Sequence, residues 1–145
     1  MSDVSSQAAR SIALFIKGEP APWQVWTRQG PPPPGVLAFQ AYQTRIQVEI
    51  KRRWDQEPIT GPIELEIIFY RGIPASCPKG PAARQRWIAK HRMMRPDLTN
   101  YVKAAEDAIK GPGLIILDDS QVVYLTAHKG YAAVEGYTTI RVSTV

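Results

Sequence analysis

The 145-residue chain is short of the residues that build disulfide and zinc modules. Its one cysteine, Cys77, excludes an intramolecular disulfide framework. His91 and His128 are its only histidines, so the thiolate and imidazole set of a structural zinc site is missing as well. Any functional metal must therefore be held mainly by oxygen. Long apolar runs are absent: Ile12 to Ile16 and Leu114 to Leu117 fall far short of the ~20 residues that cross a bilayer. The first fifteen residues lack a basic start followed by an apolar run and a cleavage site, so the expected location is cytoplasmic, with no membrane partner. Acid is missing from one segment. Residues 71 to 95 contain Arg71, Lys79, Arg84, Arg86, Lys90, Arg92 and Arg95 and not one Asp or Glu.

What is present is ordinary for a globular chain. The hydrophobic share of 44% and charged share of 21% lie near the averages for folded domains, so a single domain over residues 1–145 with one core is expected. The net charge of +5 makes a polyanionic partner plausible, since every phosphate met by Lys or Arg releases condensed counterions. The acid-free stretch concentrates that charge into a patch suited to phosphate contact.

Residues 1–10 are small and polar and read as a flexible N-terminus, and Ile12 to Lys17 reads as a first strand. Gly18, Pro20 and Pro22 stop it, and Trp23 to Gly35, with four consecutive prolines at 31 to 34, reads as an extended arm. Trp23 and Trp26 on that arm are suited either to stacking on exposed bases or to partial burial beneath it. From Ala38 to Trp54, Phe39, Tyr42, Ile46, Ile50 and Trp54 recur at helical spacing. Ile63, Leu65, Ile67 and Phe69 alternate with Glu64, Glu66, Ile68 and Tyr70, the period of a strand with one apolar face. The basic segment 71–95 opens as a loop, and Ala82 to His91 has the composition of a short helix. A second main helix runs from Leu98 to Lys110, entered through Pro96 and Asp97 and left through Gly111, Pro112 and Gly113. Val122 to Ala127 and Tyr137 to Val145 read as strands, with Gly130 and Gly136 bracketing a turn. The fold class is α+β: a small mixed sheet with two main helices packed on one face.

The chemistry concentrates on the second helix and the loop after it. At 100° per residue, Leu98, Tyr101, Val102, Ala105, Ala108 and Ile109 share one side, and Thr99, Asn100, Lys103, Glu106, Asp107 and Lys110 share the other. The polar side thus offers a carboxylate, a hydroxyl, an amide and an ammonium near its start, groups that suit a hard cation beside a phosphate. The adjacent acids Asp118 and Asp119 repel one another unless a cation joins them. Magnesium, which takes oxygen ligands and bridges to phosphate, meets both requirements if the fold brings Asp97 to these two. Each feature also has a plain structural account: Asp97 as a helix N-cap, Asp118-Asp119 as a solvated turn, Lys103 and Lys110 as solvent-facing residues.

The run Arg95-Pro96-Asp97-Leu98-Thr99-Asn100, then Lys103, Asp107, Ala108 and Gly111, then Asp118-Asp119-Ser120-Gln121-Val122, resembles the signature of the RusA family of Holliday-junction resolvases in both order and spacing. Looser similarity covers most of the rest, including Gly18-Glu19-Pro20 and the Phe69-Tyr70 strand end before the basic insertion. The resemblance implies an α+β homodimer that cuts four-way DNA junctions with Mg²⁺, for which Mn²⁺ can substitute. It implies Asp97 and Asp119 as catalytic metal-binding acids, Asp118 as their neighbour, and Lys103 as the lysine needed for activity. Thr99 stands where the family has a second acid, which leaves the metal set of Asp97, Thr99, Asp118 and Asp119 one negative charge short. Arg71, Lys79, Arg84, Arg86, Lys90, Arg92, Arg95 and Asn100 are the expected DNA contacts. Two alternatives stay open: a DNA-binding module on the same scaffold that does not cut, and a metal-assisted hydrolase of another phosphodiester.

Overall fold

The computed structural model describes residues 9–77, 80–90 and 92–145. Strand β1 (Ser11–Lys17) leads through the proline-rich arm to helix α1 (Pro34–Arg53), and β2 (Ile63–Gly72) follows. The basic segment contains α2 (Pro81–Ala89), and then come α3 (Leu98–Ile109), β3 (Val122–Ala132) and β4 (Tyr137–Thr144). The four strands form one mixed sheet in the order β1-β4-β2-β3. β4 pairs antiparallel with β1 and β2, whereas β3 runs parallel to β2. A parallel neighbour cannot be reached by a tight turn, so the chain must travel back along the sheet, and α3 makes that return.

Alternation along the strands decides which face is buried. Ile12, Leu14 and Ile16 of β1, Ile63, Leu65, Ile67 and Phe69 of β2, and Ile140 and Val142 of β4 point to one face and are buried. Against them lie Tyr42, Ile46 and Ile50 of α1 and Tyr101, Ala104, Ala105, Ala108 and Ile109 of α3. The alanines let α3 approach closely: the Gln43 side chain on α1 reaches across to donate to the Ala104 carbonyl at 3.2 Å. Phe69 stacks on Tyr101 with ring centroids 5.0 Å apart, fixing α3 to the central strand. Each such aliphatic or aromatic side chain stabilises the fold by about 1.5–3 kcal/mol through apolar burial. The Tyr42 hydroxyl, whose pKa is pushed up by burial, shares a 2.5 Å hydrogen bond with Thr138 Oγ1 and so is not left bare in the core. The opposite face of the sheet is open and carries Phe15, Tyr70 and Tyr137 in contact.

The sequence reading placed the strands and both main helices, with three differences. Helix α1 starts four residues earlier, because Pro34 is tolerated in a first turn whose N–H groups have no intrahelical partner anyway. The short helix in the basic segment ends at Ala89; the proposed end at His91 lies outside the described residues. β3 runs on to Ala132 through Gly130, because its whole length is paired to β2 up to Gly72. Gly130 therefore lies inside the strand instead of opening the turn. Glu19 holds the adjoining corner: its Oε1 accepts from the Gly72 and Gly136 amides at 3.0 and 3.1 Å. A Cβ on Gly72 would lie 2.6 Å from the Val134 carbonyl oxygen, so that close approach of two backbones requires glycine.

Candidate functional site

Because α3 runs back along a parallel β2–β3 pair, its two ends face opposite ends of those strands. Its start lies beside the far half of β3, where Lys129 Nζ donates to the Met94 and Pro96 carbonyls at 2.9 Å each. Its end lies beside the beginning of β3, where Lys110 Nζ is 3.3 Å from Asp107 Oδ1 and 3.6 Å from Asp119 Oδ2. At about 1.5 Å per helical residue, Asp97 and Lys110 are roughly 20 Å apart along the axis. The strand agrees: the seven steps from Val122 to Lys129 cover about 23 Å.

The expected gathering of Asp97 with Asp118 and Asp119 therefore does not occur within one chain. Among the described residues no group of three or more His, Cys, Asp or Glu side chains is placed to hold a metal ion. The reason is topological. Sequence spacing brings the two motifs within two dozen residues, but a parallel crossover carries them to opposite ends. The donor types suit a hard oxygen-binding cation, but the acids of the two motifs are divided between the two ends.

At the start of α3, Asp97 occupies the N-cap position, and its backbone carbonyl accepts from Asn100 and Tyr101. Its side chain makes no capping hydrogen bond, so the exposed carboxylate is not used up by the helix as the capping account required. Thr99, Asn100 and Lys103 are exposed along the same face. The Lys103 ammonium lies 3.6 Å from the centroid of the Trp23 ring, and the Trp23 amide donates to the Asn100 carbonyl at 3.0 Å. The arm is thus pinned across this face, and Trp23 is half-buried against the core. Of the two readings open for Trp23, partial burial is the one observed.

At the far end, Asp118 to Gln121 form a tight turn with a reciprocal cap: the Asp118 side chain and the Gln121 side chain each meet the other's backbone. Gln121 Oε1 accepts from the Leu117 and Asp118 amides at 2.8 and 3.0 Å, while its Nε2 donates to the Ile59 and Gly61 carbonyls at 2.6 and 2.9 Å. The glutamine of the motif is therefore a structural tie that presents the two acids. The Ser120 hydroxyl donates to Asp118 Oδ2 at 2.7 Å, and this bond first of all holds the Asp118 carboxyl below the usual range. Partial desolvation pulls Lys110 down, but Asp107 and Asp119 outweigh it and keep the ammonium above its ordinary pKa. Burial, followed by the charges of Asp119 and Asp107, pushes Glu106 up. This end gathers Glu106, Asp107, Asp118 and Asp119 near one ammonium, that of Lys110, which meets Asp107 and Asp119.

Of the expected DNA contacts, Arg71, Arg84, Arg86, Lys90, Arg95 and Asn100 are exposed, and Lys79 lies outside the described residues. Arg84 donates to the Ala133 carbonyl and Lys90 lies 4.2 Å over the Trp87 ring, so both also anchor α2 locally. Trp87 in turn meets Tyr131 of β3 edge-on at 5.0 Å. Arg92 departs from expectation. It is 4% exposed and donates through Nη2 to the Tyr101 hydroxyl at 2.8 Å and to the Arg95 carbonyl at 3.2 Å. It is a buried brace between the basic segment and α3, placed there because Tyr101 offers an aromatic face and a hydroxyl. Lys129, outside the expected set, sits beside it; burial and then the Arg92 charge lower its pKa. No local sequence signal marks Lys129 or pairs Trp23 with α3, because their partners are more than thirty and seventy residues away.

The family described as Endodeoxyribonuclease RusA matches residues 25–143. An uncharacterized protein, YqaN of Bacillus subtilis strain 168, is 37% identical over 78 residues, 51% of this chain and 52% of that protein. The chain thus spans about half the length of that curated relative.

Proposed function

The chain belongs to the RusA endodeoxyribonuclease family, and from that premise we propose that it is a metal-dependent nuclease that resolves four-way DNA junctions as a homodimer in recombination and repair. The observation that carries the dimeric reading is the separation of the acids by the length of α3. One chain presents half a site at each end of that helix. A two-fold axis that sets two α3 helices antiparallel puts the Asp97 end of one protomer against the Asp118-Asp119 end of the other, twice. Two equal sites then face the two strands that a junction requires to be nicked. Val123 and Leu125, about half exposed beside the acidic loop, are apolar surface suited to cover by a second copy.

In this reading Asp97 and Thr99 of one protomer and Asp118 and Asp119 of its partner would hold Mg²⁺, with Mn²⁺ as substitute. When bound, the ion supplies charge to the scissile phosphate and acidifies a water. The protein's own groups do the rest. Lys103, which has no carboxylate partner within ion-pair distance among the described residues, offers its ammonium to charge developing on the phosphate. The exposed Arg71, Arg86, Lys90 and Arg95 contact phosphates and set position more than sequence, while Gln121 keeps the acidic turn rigid. A second reading, junction binding without cutting, is favoured by one feature, the neutral Thr99 in place of an acid.

The test is cleavage of a labelled four-way junction with Mg²⁺, Mn²⁺ or EDTA. The wild-type chain is expected to make paired, metal-dependent nicks, and Asp97→Asn and Asp119→Asn each to lose about 10²-fold or more while still binding. Co-refolding the two variants restores one complete site per mixed dimer, so single nicks should return. No recovery on mixing would refute the shared site. Tight binding without cutting, relieved by Thr99→Asp, would replace the nuclease reading by the binding one.

A further inference from the structure

Lysines that act on phosphates face a conflict. An ion pair with a carboxylate fixes the ammonium but neutralises it and must break before a phosphate can be met. A lysine left free keeps its charge but spreads over many rotamers. Lys110 shows the first arrangement, 3.3 and 3.6 Å from two carboxylates. Lys103, two turns earlier on the same face, shows neither. Its Nζ lies 3.6 Å from the centroid of the Trp23 ring, and no carboxylate lies within ion-pair distance among the described residues.

An indole face attracts a cation through its quadrupole without carrying net charge, so it restrains the ammonium and leaves N–H donors on the far side. The ring is itself held. The Trp23 amide donates to the Asn100 carbonyl three residues before Lys103 on α3, and the ring is half-buried against the core. The platform and the lysine therefore share one frame.

We propose that Trp23 is the positioning residue for Lys103, seating its ammonium over the polar face of α3 so that it meets the phosphate already oriented and still fully charged. The inference rests on the nuclease reading for what Lys103 does, but the seating can be tested without it. In the full chain, free of metal and DNA, the Lys103 ε-methylene protons should be shifted upfield by the indole ring current. Trp23→Leu should abolish that shift and Trp23→Phe should keep part of it.

In the cleavage assay, Trp23→Leu should lower kcat roughly tenfold with the junction Kd changed less than about twofold, and Trp23→Phe should recover to within about threefold of wild type. In a Lys103→Ala background, Trp23→Leu should cost nothing further. A merely space-filling role predicts that Leu serves as well as Phe, and that result, or the absence of the ring-current shift, overturns the proposal. A wild-type chain that never cuts refutes the nuclease reading instead, and the ring-current shift then decides the seating alone.

Discussion

At its start, α3 receives no capping hydrogen bond from the Asp97 side chain and leaves Thr99 and Asn100 exposed, with one aromatic ring steadying Lys103. At its end the acids are tied down. Gln121 bonds four backbone groups, Ser120 bonds Asp118, and Lys110 lies between Asp107 and Asp119. One end offers exposed polar groups beside a basic segment, while the other is a hydrogen-bonded concentration of negative charge. The contrast teaches that the two ends of one helix can be held by different means, an aromatic ring at one and a hydrogen-bonded turn at the other.

The tied end should break most visibly. Gln121→Leu removes four hydrogen bonds at one stroke and leaves their backbone partners short, so it should cost about 2–4 kcal/mol in urea unfolding. If the loss is negligible, the turn is held by something other than its glutamine. On the open side, replacing Arg84, Arg86 and Lys90 by alanine should weaken junction binding roughly tenfold at moderate salt and lower the slope of log K against log salt by about 2–3. An unchanged slope would mean that α2 does not meet phosphate. Circular dichroism would check that the loss of the Arg84 and Lys90 anchors has not unfolded the helix.

The smallest effect is electrostatic. Glu106 is raised in the folded chain by burial and by Asp119 and Asp107, so folding favours its protonated form. The stability tied to that shift is present below the unfolded carboxylate pKa of about 4.3 and is lost as pH rises through the folded value. Glu106→Gln should therefore raise Tm slightly at pH 7, by less than the substitutions above change stability or binding, and the gain should vanish near pH 3.5. A gain that persists in acid would show that packing, not charge, limits this position.

Much of this was legible along the chain. Period-two alternation in Ile63 to Phe69 and helical spacing in α1 and α3 reflect burial of one face, a local property that any sequence of that pattern must satisfy. The polar residues of α3, the paired acids and the acid-free basic segment were likewise visible as residue types along the chain, whereas the roles expected of Asp97, Thr99, Lys103 and Asp119 came from the family resemblance. Arg92 was misplaced because charge alone reads as surface; its burial depends on the Tyr101 hydroxyl and the Arg95 carbonyl, which the packing of α3 sets in place.

The amino-acid sequence by itself determined the elements, the polar face of α3 and the family. Only the tertiary structure decided that β3 lies parallel to β2, and with it that Asp97 and Asp119 stand at opposite ends of a helix. It also decided that Trp23, eighty residues before Lys103, lies beneath its ammonium. Strand direction and long-range contacts depend on how whole elements share one core, and no window of neighbouring residues contains that information.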